Sequence, residues 1–266
     1  LTAAGLITRF MGFFFRIFLS HAFGVENVAL YQLTFPVYAL CLSLSTSGIQ
    51  TAVSRMVAGK VSLGRQKEAK SILYTALSLT LLLSFTEVIF VQQNAAFIAQ
   101  TFLGDSRCEE LLIIISYALP CAAVHSCICG YSLGLQRTAL PALSQLIEQI
   151  LRILSVFLLF VFMKQNGRIP SIQIATVGIV AGEFASALFS SRFLSRQEAP
   201  MPCPAFSTLT GNLRELLSLS IPLTANRAAV TLLQSVEAAS IPSCLKLYGM
   251  STSEALSMDG VLSGMA

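Results

Sequence analysis

The feature that most limits what this chain can become is the length of its apolar runs. Stretches of about 20 or more mostly uncharged residues follow one another along nearly the whole sequence, separated by short polar breaks. Lipid offers the backbone no hydrogen-bond partners, so runs of this kind become helices or closed barrels. They are too long for barrel strands, which alternate over about ten residues. The expected spans are residues 1–23, 28–57, 71–102, 111–135, 141–163, 171–194 and 213–247, with an eighth starting near Glu254. Composition agrees. Only 11% of residues are charged, against about 25% in soluble domains. The expected fold class is an all-α polytopic transmembrane helix bundle.

This excludes an ordinary soluble enzyme and a nucleic-acid binder. The formal net charge of +4 is spread thinly along the loops, and reads as charge that sets orientation. If the first span runs outward, the inner side collects Arg55, Lys60, Arg65, Lys67, Lys70, Arg137, Arg192, Arg196 and Arg214. The outer side then holds only Arg107, Lys164, Arg168 and Lys246. The excess predicts a cytoplasmic N-terminus in the plasma membrane.

Pro200, Pro202 and Pro204 mark a linker. They divide the chain into a first six-helix lobe (residues 1–197), a cytoplasmic Pro-rich linker (198–212) and the start of a second lobe (213–266). A weak repeat supports this division. Phe23-Gly24-Val25-Glu26-Asn27-Val28-Ala29-Leu30 resembles the stretch from Tyr248-Gly249 to Glu254-Ala255-Leu256, with one residue inserted. The two stretches lie six spans apart, and internal repeats of this kind build transporters with a site between the halves. The first residue already lies in an apolar run and the chain ends inside another, which predicts a piece of a longer protein.

Ionisable groups inside spans are costly and mark function. Gly5, Arg9, Gly12 and Arg16 form one stripe on the first span, the two arginines about 10 Å apart along the axis. They read as a cationic wall for an anionic group; the structural alternative is snorkelling or pairing. Gln145, Glu148, Gln149 and Arg152 form a polar stripe on the fifth span, where Glu148 and Arg152 can pair one turn apart. Glu183 on the sixth span lies in line with Thr176, Ser186 and Ser190, on a helix whose Gly178 and Gly182 permit close approach. It could bind a proton or pair with an arginine. The seventh span carries Asn226, Arg227, Gln234 and Glu237 between Pro222 and Pro242, which permit bends. Glu87 on the third span is a weaker candidate.

Cys121, His125 and Cys129 share a helix face. Packing of small polarizable residues and a metal site are both open there, and neither a metal nor a cofactor is expected. No catalytic motif stands out, so an enzyme has no positive support.

The stretch Thr8-Arg9-Phe10-Met11-Gly12-Phe13 with Arg16, followed by Leu30-Tyr31-Gln32-Leu33-Thr34-Phe35-Pro36, resembles the opening of polysaccharide-biosynthesis-type flippases. So does the run from Ala142-Leu143-Ser144-Gln145 through Glu148 to Arg152. Most specific is Ile221-Pro222-Leu223-Thr224-Ala225-Asn226-Arg227, followed by Gln234-Ser235-Val236-Glu237 and Ile241-Pro242. Together they resemble the stage V sporulation protein B group of the multidrug/oligosaccharidyl-lipid/polysaccharide (MOP) exporter superfamily. The resemblance implies two six-helix lobes around a central cavity, of the MATE/MOP kind. It implies flipping by alternating access of a lipid-linked saccharide, of the lipid II type used for the spore cortex. The implied partners are an anionic lipid-linked glycan, membrane lipid and a coupling ion, H+ or Na+. Arg9 and Arg16 match the spacing of the first-helix pair in lipid II flippases. The second span has no arginine near Pro36, where the better-studied lipid II flippases carry one. A cation-coupled multidrug exporter of the same fold is the alternative. The first span argues against it, having arginines where such an exporter wants a carboxylate.

Overall fold

The computed structural model describes residues 2–197 and 206–247. Its helices are α1 (Thr2–Phe23), α2 (Val25–Leu42), α3 (Gly48–Ser62), α4 (Gln66–Phe97), α5 (Cys108–Ser116), α6 (Ala118–Gly134), α7 (Ala139–Gln165), α8 (Gln173–Gln197) and α9 (Phe206–Leu247). Among the described residues, six helical runs are long and apolar enough to cross a bilayer. A seventh results if α5 and α6, bent by 41° at their junction, count as one broken span. These correspond in order to the seven expected runs. The chain is a multi-pass membrane protein with an all-α architecture. The expected eighth span from Glu254, the second copy of the repeat and most of the linker lie outside the described residues. The helix of the seventh run starts earlier than expected, at Phe206, just beyond the last proline of the linker.

Two interruptions have local causes. Pro120 cannot donate the backbone hydrogen bond that would reach Ser116, and the fourth span breaks there. In the second span α2 and α3 are joined by a π-helical turn over Ser43–Ser47. Its hydroxyls compete for the helix carbonyls: Ser45 Oγ donates to Cys41 O at 3.1 Å and Thr46 Oγ1 to Leu42 O at 2.6 Å. Such back-bonding loosens a helix, and single π turns often sit at functional positions.

The packed core is divided by depth. One cluster joins the end of α1, the start of α2, the end of α4, α5 and the start of α8, through Leu19, Leu30, Val91, Leu112 and Ile179. The other joins α3, the first half of α4, the end of α6 and Leu216 of α9, through Val53, Ile72 and Tyr131. Between the two, at the middle of the spans, the interior turns polar, with Ser45, Thr46, Thr80, Ser84 and Glu183 all buried. Beyond the first of these clusters, exposed Arg107 clamps Asp105 at 2.8 Å and Glu26 at 2.9 Å. Those carboxylates, Asp105 foremost, push its pKa further up.

Phe10, Phe13 and Phe14 of α1 and Phe157, Leu158 and Phe162 of α7 are exposed. In water such faces would drive aggregation; a bilayer solvates them. α7 instead commits its other face to α8. A methyl group on Gly178 would collide with Val156 Cγ2, and one on Gly182 would lie 2.9 Å from the Glu148 carbonyl oxygen. Only glycine at both positions lets the α8 backbone lie against the turn of α7 that carries Glu148 and Arg152. This contact positions the site.

Candidate functional site

A cavity of about 880 Å³ opens between α1, α2, α7 and α9. α1 contributes Arg9, Gly12 and Arg16, so the predicted stripe faces it. α2 adds Tyr31, Gln32 and Phe35, α7 adds Gln145, Glu148, Gln149 and Arg152, and α9 adds Thr231 and Gln234. The wall is amphipathic, with Phe15, Leu19, Val28 and Pro36 between the polar groups. Three of its four charged side chains are arginines. Arg9 and Arg16 are both exposed, and among the described residues neither is held in an ion pair. The cavity therefore presents guanidinium groups to whatever enters it, and guanidinium forks suit phosphate and carboxylate oxygens.

A polar cluster begins at the cavity wall, with the half-buried Glu148 and Arg152, and runs behind it to the buried Glu183. Arg152 Nη2 donates to Glu148 Oε1 within α7, as the spacing predicts. Close packing of α8 brings Glu183 up beside this pair. Tyr38 Oη of α2 donates to Glu183 Oε1 at 3.2 Å, and His125 Nδ1 of α6 lies 3.8 Å from Glu183 Oε2. The other ring nitrogen of His125, Nε2, bonds to Ser144 Oγ at 2.9 Å. Two atoms of the cluster are buried with no hydrogen-bond partner: Arg152 Nε and Glu183 Oε2.

The predicted site residues thus separate. Arg9, Arg16, Glu148, Arg152 and Gln234 line the cavity, and Glu183 stands behind it. Asn226 is exposed on α9 and is not part of the cavity lining. Arg227 lines a separate pocket of about 530 Å³ with Arg55 and Gln50 of α3. The cause is the path of α9, which lies so close to Gly48 that a methyl group there would strike Thr224. From that contact Thr231 and Gln234 reach the cavity, whereas Arg227, a turn earlier, lies against α3. The backbone of Glu237 belongs to α9, and its side chain lies outside the described residues. Glu87 is half-buried with Oε2 unpartnered, on α4 and away from the cavity.

Sequence reasoning missed Tyr38, and it read His125 only together with its neighbouring cysteines. In the structure the imidazole turns to Ser144 and Glu183, and Cys129 Sγ lies 3.7 Å from Ser144 Oγ. Cys121, His125 and Cys129 do not converge as a ligand set. Among the described residues the acid and histidine groups that do converge are His125, Glu148 and Glu183, their nearest polar atoms all within 4.8 Å of one another.

Comparison with known proteins identifies the lineage. Residues 1–246 match the polysaccharide biosynthesis protein family. The chain belongs to this family. Among curated members, it is 30% identical over 270 residues to stage V sporulation protein B of Bacillus subtilis, covering 100% of this chain and 52% of that protein. It is 28% identical over 197 residues to the lipid II flippase MurJ of the same organism, covering 69% of this chain and 36% of that one. The family member described here thus spans about half the length of the first relative and less of the second. Among solved structures, an inward-facing MATE multidrug resistance transporter of the MOP superfamily superposes with a TM-score of 0.70 at 16% identity, over 96% of this chain and 57% of that one. A MOP superfamily transporter from Pyrococcus furiosus, described as having a binding pocket of reversed polarity, gives 0.71 at 15% identity, over 97% and 60%. These likenesses establish the MOP fold.

Proposed function

We propose that the protein to which this chain belongs moves a lipid-linked saccharide across the plasma membrane by alternating access, with a diphosphate head group held in the cavity between α1, α2, α7 and α9. The observation that carries the reading is the pair Arg9 and Arg16, which line a cavity of about 880 Å³ inside a membrane protein without being tied up by a described carboxylate. Unpaired guanidinium groups at membrane depth are too costly to persist without a ligand or water to face. A prenyl-linked diphosphate meets that need. Its charged oxygens accept the arginine forks while its tail stays in hydrocarbon. Gln32, Gln145 and Gln149 supply neutral donors and acceptors suited to sugar hydroxyls.

The relatives point the same way, since one is named for sporulation and the other for lipid II flipping. The substrate proposed is accordingly a lipid II-type peptidoglycan precursor. The N-terminus faces the cytoplasm, in keeping with the basic residues of the loops. The multidrug alternative is disfavoured by the same cavity, whose net positive wall repels organic cations.

The test uses the full-length protein in proteoliposomes, with translocation of lipid II compared against other prenyl diphosphate sugars. Arg16→Ala is expected to abolish translocation while the protein is made and inserted normally. Undiminished translocation by that variant would overturn the reading.

A further inference from the structure

The cluster behind the cavity contains an odd charge. Glu148 and Arg152 cancel each other. Glu183 is an additional carboxylate, its side chain only 10% exposed, with Oε2 buried and unpartnered. The groups around it come from every helix packed there. α2 supplies Tyr38, α6 supplies His125 with Cys121 and Cys129 nearby, and α7 supplies Glu148 and Arg152. α5 meets α8 through Glu110 and Gln173, far from Glu183 along the helix. On the cavity side, α1 adds Arg9 and Arg16, while Thr231 and Gln234 of α9 do not titrate. With every carboxylate ionised and His125 neutral, the set Glu148, Arg152, Glu183 and His125 carries one negative charge. One proton, shared between Glu183 and the imidazole 3.8 Å away, makes it neutral. A divalent metal would suit it poorly, because the guanidinium on Glu148 already brings positive charge into the same small volume.

Arg152 belongs to both places. It lines the cavity, it holds Glu148 through Nη2 alone, and its Nε is buried without a partner. A phosphate oxygen entering the cavity competes with Glu148 for this side chain. When it wins, the ion pair opens and Glu148 is left beside Glu183, with their oxygens and the His125 nitrogen within 4.8 Å of one another. Two carboxylates at that separation in a poorly solvated pocket do not both remain ionised.

We propose that Arg152 exchanges Glu148 for an oxygen of the anionic head group, and that the Glu148–Glu183–His125 cluster takes up one proton from water in the same step. The broken contact is the Arg152–Glu148 ion pair, and the new one is Arg152 to phosphate. The proton comes from solvent through the cavity, settles on a carboxylate oxygen, and leaves when the head group departs and Arg152 returns. The bound complex therefore carries one negative charge fewer than the free ligand would impose. This rests on the proposed function above, and adds to it a proton site linked to substrate binding.

The experiment measures binding of an undecaprenyl diphosphate N-acetylhexosamine to the purified full-length protein. The phosphates of this probe stay ionised across the pH range used, so the ligand itself contributes no titration. Uptake of about one proton per bound ligand is expected in weakly buffered solution, and the affinity should fall about tenfold per unit as pH rises from about 6 to about 8. In Glu148→Gln, Arg152 is free from the start. That variant should bind no more weakly than the native protein at the upper end of the range, and its affinity should not change with pH. Tight binding by the native protein with no proton uptake and a flat pH profile would overturn this inference and leave the proposed function standing. A slope retained in Glu148→Gln would overturn it too. Failure of the native protein to bind the probe at any pH would remove both. The native measurement decides the matter even if the variant does not fold.

Discussion

α1 and the α7–α8 pair treat charge in opposite ways. On α1, Arg9 and Arg16 are exposed to the cavity and unpaired among the described residues, on a helix that buries only Ala4, Phe15, Leu19 and Phe23. On α7 and α8, Glu148 and Arg152 are half-buried and paired with each other, Glu183 is buried and hydrogen-bonded, and two glycine contacts hold them together. A cation left unpaired in a wet hollow contributes little to stability and is available to a ligand. A buried pair is part of the packing, and its loss is felt by the fold first. The same residue types therefore stand unpaired on one helix and hold the packing on another, with Arg152 at the boundary between the two.

The comparison is most exposed to Arg152→Ala. Removing the guanidinium leaves Glu148 buried beside Glu183 with no counter-charge, and breaking a buried pair from one side costs about 3–5 kcal/mol. A large drop in the unfolding midpoint of the full-length protein in detergent micelles is expected; a midpoint near native would mean that the pair is solvated. Gly178→Leu comes next. The new side chain meets Val156 and the Arg152 carbonyl at closest approach, and overpacking of this kind costs about 1–3 kcal/mol. The midpoint should fall while Arg9 and Arg16 keep their place. Smallest is Arg9→Gln, for which a stability change within about 0.5 kcal/mol is expected. A larger loss there would show that Arg9 is structural and would erase the contrast.

The spans were legible because each apolar run is longer than a bilayer requires, and lipid leaves the backbone no alternative to helix. The Glu148–Arg152 pair was legible because it lies one turn apart on a single helix. The α7–α8 contact showed itself in the Gly178 and Gly182 spacing. What the sequence could not disclose was convergence between helices. Tyr38, His125 and Glu183 are far apart in the chain and meet only through the packing of α2, α6 and α8. No local pattern marks Tyr38 as a partner of Glu183. The face shared by Cys121, His125 and Cys129 gave only part of the histidine's surroundings, because an imidazole reaches across a helix interface as readily as along its own helix. Arg227 illustrates the same limit. Arg227 lies one helical turn before Thr231, yet Thr231 and Gln234 line the cavity while the path of α9 leaves Arg227 beside Arg55. The π turn at Ser43–Ser47 had a signal, a run of hydroxyl residues, which hydropathy alone does not weigh.

In the proposed function the guanidinium groups of α1 receive the charged part of the ligand. Equilibrium binding of a prenyl diphosphate sugar to the full-length protein, native against the Arg9→Gln/Arg16→Gln double variant, addresses it directly. Charge-assisted hydrogen bonds of about 1.5–3 kcal/mol each predict that the double variant binds about a hundredfold more weakly or worse, while a prenyl-linked sugar without phosphates binds both proteins poorly and equally. Equal affinity of the two proteins for the diphosphate ligand would contradict the account.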